Sequence, residues 1–173
     1  MFVFGHIGIT LGVFYFLNRL FPKKNFRFDY RWVAFGALLP DIIDKPLGKI
    51  ILAETIGSGR IYAHTLLFVI LLAVAGYLYY QKKEQNCFLV LAGASFCHLL
   101  EDRMWNSPRV FFWPLFGWSF PKDTGYSSFF EYFMKIFSRA YDPGSLGVFV
   151  PEIIGLGITL LFAVNYIRIN RKI

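Results

Sequence analysis

Residues 61–80 read IYAHTLLFVILLAVAGYLYY, a run of 20 positions without a formal charge. As a helix rising 1.5 Å per residue, such a run spans the roughly 30 Å hydrocarbon core of a bilayer. Working outward, residues 1–21, 31–52, 87–105 and 146–167 have the same apolar character. The whole chain of 173 residues is 56% hydrophobic and 20% aromatic, with a mean hydropathy of +0.49. Soluble domains hold about 45–50% apolar residues, and here the excess is concentrated in the long runs. The expected fold is therefore all-α: a polytopic transmembrane bundle of about five helices forming a single membrane domain, residues 1–173. Segment 31–52 is the least regular, because Pro40, Asp41, Asp44 and Pro46 interrupt it. Proline is able to break a helix, so this segment is expected either as a span or as a short helix followed by an interfacial one.

Residues 106–145 separate the fourth and fifth runs and are expected to form an interfacial, aromatic-rich segment. The stretch from Pro108 to Pro114 is too broken by proline to span. Over residues 127–139, however, Phe129, Phe130, Phe133, Ile136 and Phe137 recur at helical spacing. That pattern predicts an amphipathic helix, either lying on the membrane or packing against the bundle. Met1 leads into Phe2, Val3 and Phe4 without a charged leader, so the first run is expected to stay as a span and not to be cleaved as a signal peptide. Cys87 and Cys97 fall ten residues apart in one run. That spacing on one helix prohibits a disulfide, and buried thiols are expected.

The net charge of +7 would suggest nucleic acid in a soluble protein. No basic stripe with interleaved aromatics is present, and basic residues flanking apolar runs have a simpler reading as topology signals. Grouping loop 22–30, turn 81–85, tail 168–173, Arg19 and Arg31 on one side collects ten basic residues against only Asp29 and Glu84. The remainder holds eight basic and nine acidic residues. The positive-inside rule then places the first group in the cytoplasm, the N-terminus outside and the C-terminus inside.

This topology carries all three histidines to the outer side. His6 lies near the outer end of the first run, Asp41 and Asp44 in the outward half of the second, His64 at the start of the third, and His98 and Asp102 at the end of the fourth. His98 and Asp102 are one helical turn apart on a shared face, and Asp41 and Asp44 share a face if their stretch is helical. Ionisable groups within spans are costly and functional by default. Neutral imidazoles with carboxylates suit a divalent cation, zinc first and manganese second. The candidate ligands are His6, Asp41, Asp44, His64, His98 and Asp102. Around them Thr65 is placed to bond a ligand or substrate oxygen, Glu101 to act as a base, and Arg60 and Arg103 to bind a phosphate or carboxylate. The competing reading pairs Asp41 or Asp44 with Lys45, Lys49 or Arg60 and leaves the histidines as hydrogen-bonding groups.

The order His6, Pro40-Asp41-Ile42-Ile43-Asp44, Arg60 with Ala63-His64-Thr65, and His98-Leu99-Leu100-Glu101-Asp102 resembles the YdjM-like predicted membrane-bound metal-dependent hydrolases. Phe112-Trp113-Pro114-Leu115-Phe116 is similar to that family's aromatic-proline segment, and the resemblance covers roughly residues 1–120. The chain departs from the family's fuller His-Arg-Gly-x-Thr-His-Ser pattern. Gly59 stands in place of the first histidine and Thr65 in place of the serine. The family is in turn similar to the zinc-dependent phospholipase C and fungal zinc nuclease superfamily. That likeness implies one metal held by Asp44 or Asp41, His64, His98 and Asp102, with Asp102 bridging to a second held partly by His6. One or two ions are expected, and no more.

The expected activity is hydrolysis of a phosphoester by water activated on the metal, with catalytic roles for Asp102, Glu101, Arg60 and Thr65. Membrane lipid is then both the environment and a substrate class; no nucleic-acid partner is expected. The alternative is a non-enzymatic metal-binding membrane protein, a transporter or scaffold. A transporter calls for polar groups through the depth of the bundle, and residues 66–80 and 155–165 are almost entirely apolar.

Overall fold

The computed structural model describes residues 2–21, 28–123 and 129–170. These form seven α-helices: α1 (Val3–Leu20), α2 (Tyr30–Pro46), α3 (Leu66–Lys83), α4 (Cys87–Glu101), α5 (Pro108–Phe111), α6 (Phe129–Ala140) and α7 (Leu146–Asn170). A π-helical turn, Leu47–Ile51, continues α2, and a 3-10 turn, Met104–Asn106, follows α4. No strand occurs among the described residues, and the all-helical bundle is as expected. Val3–Leu20, Leu66–Lys83 and Leu146–Arg168 are long and apolar enough to cross a membrane; α4 is a shorter apolar helix.

Helices neighbour one another in the order α7, α1, α2, α4, α3, and α1 also touches α4. The central helix α4 buries Val90, Leu91, Ala92, Ala94, Ser95, His98 and Leu99. One core joins Leu11, Phe14, Val33, Val90 and Ala94; another joins Val69, Leu99, Met104, Val110 and Phe111. The outer helices α3 and α7 instead expose Ile70, Leu71, Val74 and Leu78, and Ile153, Ile154, Leu160 and Leu161. An apolar surface of that extent is at home against lipid tails. Arg19, Lys82, Lys83 and Arg168 occupy the last turns of α1, α3 and α7. Of the basic loop at 22–30, residues 22–27 lie outside the described residues, as do 171–173 of the tail.

The helices depart from the expected spans in three places. Helix α2 runs through Pro40 without breaking. Proline lacks the N–H that would bond the carbonyl four residues back, here Gly36. Ser95 Oγ on α4 donates to that oxygen at 3.1 Å and takes over the missing bond. Helix α3 begins at Leu66, not 61, because Thr65 is its N-cap: the Thr65 hydroxyl accepts from Phe68 N–H at 3.0 Å. Helix α4 stops at Glu101, short of 105, because Arg103 adopts a left-handed conformation (φ 52°) that turns the chain away. Cys87 and Cys97 are free and half-buried, more open than expected.

Helices α1 and α7 approach until their backbones touch. A Cβ on Gly8 would run into the Gly155 carbonyl, and one on Gly155 into the Phe4 carbonyl and Gly5 Cα. Small residues permit such contact where lipid gives helices no hydrophobic reason to associate. Gly155→Ala is expected to force the helices apart and cost about 2–3 kcal/mol, read as a lower thermal midpoint in detergent. Gly157→Ala, whose Cβ would meet nothing within 4 Å, is the neutral comparison.

Helix α6 matches most of the expected amphipathic stretch; residues 124–128, including its expected start at 127, lie outside the described residues. Phe133 meets Phe2 at a tilt and Phe137 meets it edge-on, each with ring centroids 5.9 Å apart. This end of the bundle, where α1 begins, is where the ionisable residues gather.

Candidate metal centre

Four helix ends converge here: the first turn of α1, the last turns of α2 and α4, and the loop leading into α3. His6, His64 and His98 are all buried, the latter two completely. Each imidazole is held from behind through Nδ1. Glu101 Oε2 bonds His6 at 2.7 Å, Asp44 Oδ2 bonds His64 at 2.7 Å, and the Ala37 carbonyl bonds His98 at 2.7 Å. With an oxygen acceptor behind it, each Nδ1 is the natural place for the ring proton, and in a neutral imidazole Nε2 then presents a lone pair.

Those Nε2 atoms face inward. His98 Nε2 and His64 Nε2 stand 3.3 Å apart, and Asp41 Oδ1 lies 3.5 Å from the second and 3.8 Å from the first. His6 stacks on His98 with ring centroids 4.0 Å apart, and its Nε2 lies 3.3 Å from Asp102 Oδ1. Two triads thus share His98: Asp41, His64 and His98, and His6, His98 and Asp102. Donors about 2.0–2.2 Å from one zinc ion stand at most about 4.4 Å from each other, so these separations fit a common ion. The 3.3 Å contact between the two Nε2 atoms is satisfied by a positive charge between them, either a proton on one imidazole or a metal ion.

Each inward-facing carboxylate uses its other oxygen to hold a cation. Asp41 Oδ2 pairs with Lys45 Nζ at 2.6 Å, and Asp102 Oδ2 with Arg60 at 2.7 Å. The pairing of Asp41 with Lys45 was the competing reading of the sequence; here it coexists with the His cluster. Lys45 is 23% exposed and Arg60 48%, so both border the open side of the site. Arg103 sits beyond α4 in its left-handed turn, exposed.

The other expected site residues stand elsewhere than the inner ring. Asp44 is fully buried, and besides His64 it accepts the backbone N–H groups of Ile61 (2.8 Å), Ala63 (2.9 Å) and His64 (3.0 Å). Its oxygens are saturated, so it anchors the loop and aims His64. Glu101 accepts from Thr10 Oγ at 2.9 Å as well as from His6, a supporting position rather than that of a free base. Thr65 donates to the Tyr62 carbonyl at 2.8 Å and caps α3, so its hydroxyl is committed to the helix start.

The loop bearing Arg60 is strapped down from outside. Asp123 accepts from Gly59 N–H and pairs with Lys49, both at 2.9 Å, and Lys49 also donates to the Gly57 carbonyl. Lys49 lies over the Tyr132 ring of α6. Burial, reinforced by the nearby Asp41 carboxylate, pushes the Tyr132 phenol up, so it remains a protonated donor. Thr10, Ser95, Tyr132 and Glu152 escaped the reading of the sequence. Thr10 alone carried a signal, its four-residue spacing from His6 on one helix face.

No curated protein and no solved structure matches the chain. The YdjM inner membrane protein family matches residues 1–171. With that match over nearly its whole length, and with helices apolar enough to cross a bilayer, this chain is an integral membrane protein and belongs to the YdjM inner membrane protein family.

Proposed function

We propose that the protein is a membrane-embedded metal-dependent hydrolase acting on a phosphoester, with a phospholipid as the favoured substrate. One observation carries the reading: His64 and His98, each bonded from behind through Nδ1, bring their Nε2 atoms to 3.3 Å from each other beside the Asp41 carboxylate. The ligand set is His6, His64, His98, Asp41 and Asp102. Because His98 has one lone pair to give and belongs to both triads, a single ion suits the set better than two. Zinc fits this mixture of imidazole and carboxylate, and manganese is second. A divalent cation there would lower the pKa of water and polarise a phosphoryl oxygen.

The remaining work falls to the chain. Arg60 and Lys45, at the open side, are placed to bind the anionic oxygens of a phosphate and offset charge as it develops. Their pairing with Asp102 and Asp41 keeps them fixed beforehand. Glu101 and Asp44 orient two imidazoles, and α6 with Tyr132 screens the site from one side. The phosphoester chemistry is what a kinship of the family with zinc-dependent phospholipases would imply. The basic residues at the far helix ends favour an extracytoplasmic site, with the C-terminus in the cytoplasm.

The non-enzymatic reading finds less support. The described core beyond the site, Leu11, Phe14, Val33, Val90 and Ala94, offers no polar steps for an ion to follow. The test is elemental analysis of the purified protein together with turnover on phospholipid in detergent. About one equivalent of zinc or manganese with phosphoester turnover is expected; metal-driven uptake into sealed vesicles without turnover would favour a transporter. Arg60→Ala is expected to keep its metal and lose about tenfold or more in kcat/KM, with kcat falling as well as KM rising. Loss of the metal itself in that variant would make Arg60 a support for Asp102 and not a substrate contact.

A further inference from the structure

Helix α7 supplies no side chain to the candidate metal centre, yet it holds a fully buried carboxylate against the helix that bears His6. Glu152 lies within the apolar span of α7. Its Oε1 accepts from Phe4 N–H at 2.7 Å and its Oε2 from Gly5 N–H at 2.9 Å. Burial and the charge of this same carboxylate push up the phenol of Tyr141, the residue after α6.

The first N–H groups of any helix lack an intrahelical partner. Phe2, at the N-cap of α1, has no side-chain cap bond to offer them. A serine or aspartate at that position would cap the helix locally, without placing an acid inside a span, where it is costly. Glu152 does something a local cap cannot: it ties the start of α1 to a different helix. One turn further along α7, Gly155 meets the Phe4 carbonyl and Gly5 Cα. Glu152 and Gly155 therefore clamp Phe4 and Gly5, the two residues immediately before His6.

From this juxtaposition we propose that Glu152 is a positioning residue for the metal centre. It sets the height of His6 along the bundle, while Glu101 sets the rotation of its ring through Nδ1. Together they keep His6 Nε2 level with Asp102 and stacked on His98. The proposal rests on the metal reading above and adds α7 to the structures on which metal affinity depends. Supporting groups behind metal ligands typically govern affinity by about 10–100-fold.

The test is titration of the metal-free, detergent-purified full chain with Co(II) or Zn(II), alongside thermal midpoints and amide hydrogen exchange in α1. Glu152→Ala is expected to bind about tenfold more weakly and to exchange the Phe4 and Gly5 amides faster. Glu152→Gln, which keeps one accepting oxygen, should recover part of both. Phe14→Ala, about two turns beyond His6 on α1 and buried in the core away from the ligands, should lower the midpoint and leave affinity unchanged, which separates stability from positioning. Wild-type affinity in Glu152→Ala overturns the proposal, however unstable that variant is. If the alanine variant does not fold, wild-type affinity in Glu152→Gln overturns it instead. A wild-type chain that binds no metal overturns the metal reading and this proposal together. Weakened binding in His6→Ala beside unaltered Glu152 variants overturns this proposal alone.

Discussion

His98→Ala is expected to leave the purified protein without its metal and without turnover. His98 is the residue that both triads share, and it is completely buried between His6 and His64. On the metal reading proposed above, removing it subtracts a ligand whichever triad holds the ion. The Ala37 carbonyl loses its Nδ1 donor at the same time, and no neighbouring imidazole is free to move in, since Glu101 and Asp44 fix the other two. Losing a supporting group behind a ligand already costs about 10–100-fold in affinity; losing the ligand itself should exceed that. Elemental analysis and phosphoester turnover, measured side by side, check it. A His98→Ala protein with wild-type metal content would sink the ligand assignment.

Asp44 should produce the largest loss of stability. Its carboxylate accepts three backbone N–H groups and the His64 Nδ1 proton in a fully buried setting. Asp44→Ala strands all four donors. At about 1–3 kcal/mol for each unsatisfied buried group, partly relieved by entering water, the expected cost is about 3–5 kcal/mol. The thermal midpoint in detergent should fall steeply, and metal should go with it. Asp44→Asn is the milder variant. With its amide oxygen in the Oδ2 position it still accepts from the Ile61 and His64 N–H groups and from His64 Nδ1, and only the Ala63 N–H is left facing the NH2 group, so much of the stability returns. The negative charge behind His64 is gone, which makes its Nε2 a poorer ligand. That variant is expected to fold with weakened metal binding; full affinity in it would show that Asp44 serves the loop alone.

Much of the bundle was legible because long apolar runs have one physical reading in a chain of this composition. The ends of the helices were less legible, for reasons outside the local sequence. The survival of α2 across Pro40 depends on a hydroxyl at Ser95, 55 positions away; no local propensity encodes such a rescue. Residues 61–65 are apolar enough to join a helix, yet the Asp44 carboxylate claims their amides first. The inner ring was foreseeable as a set of residue types gathered at one end, but the division of labour was not. Asp41 and Asp44 look alike three residues apart, and only the chain's path shows that one faces the histidines while the other faces the loop. Glu101, adjacent to Asp102, lies about 100° round the helix from it, which carries it to the back of His6. Glu152 sits in the most apolar of the three spans, where nothing nearby in sequence announces its partner.

Pro40 also bears on how this protein tolerates change. Any effort to make the chain sturdier would begin by exchanging a proline in the middle of a helix for alanine, and by local criteria it would succeed. The restored N–H would compete with Ser95 for the Gly36 carbonyl, changing how α2 and α4 are joined one turn before Asp41. His98, which leans on the neighbouring Ala37 carbonyl, stands on the same stretch of backbone. The most rigid version of α2 and the working version therefore differ at this position. Selection for robustness alone would erode the site here first, in a helix that looked improved.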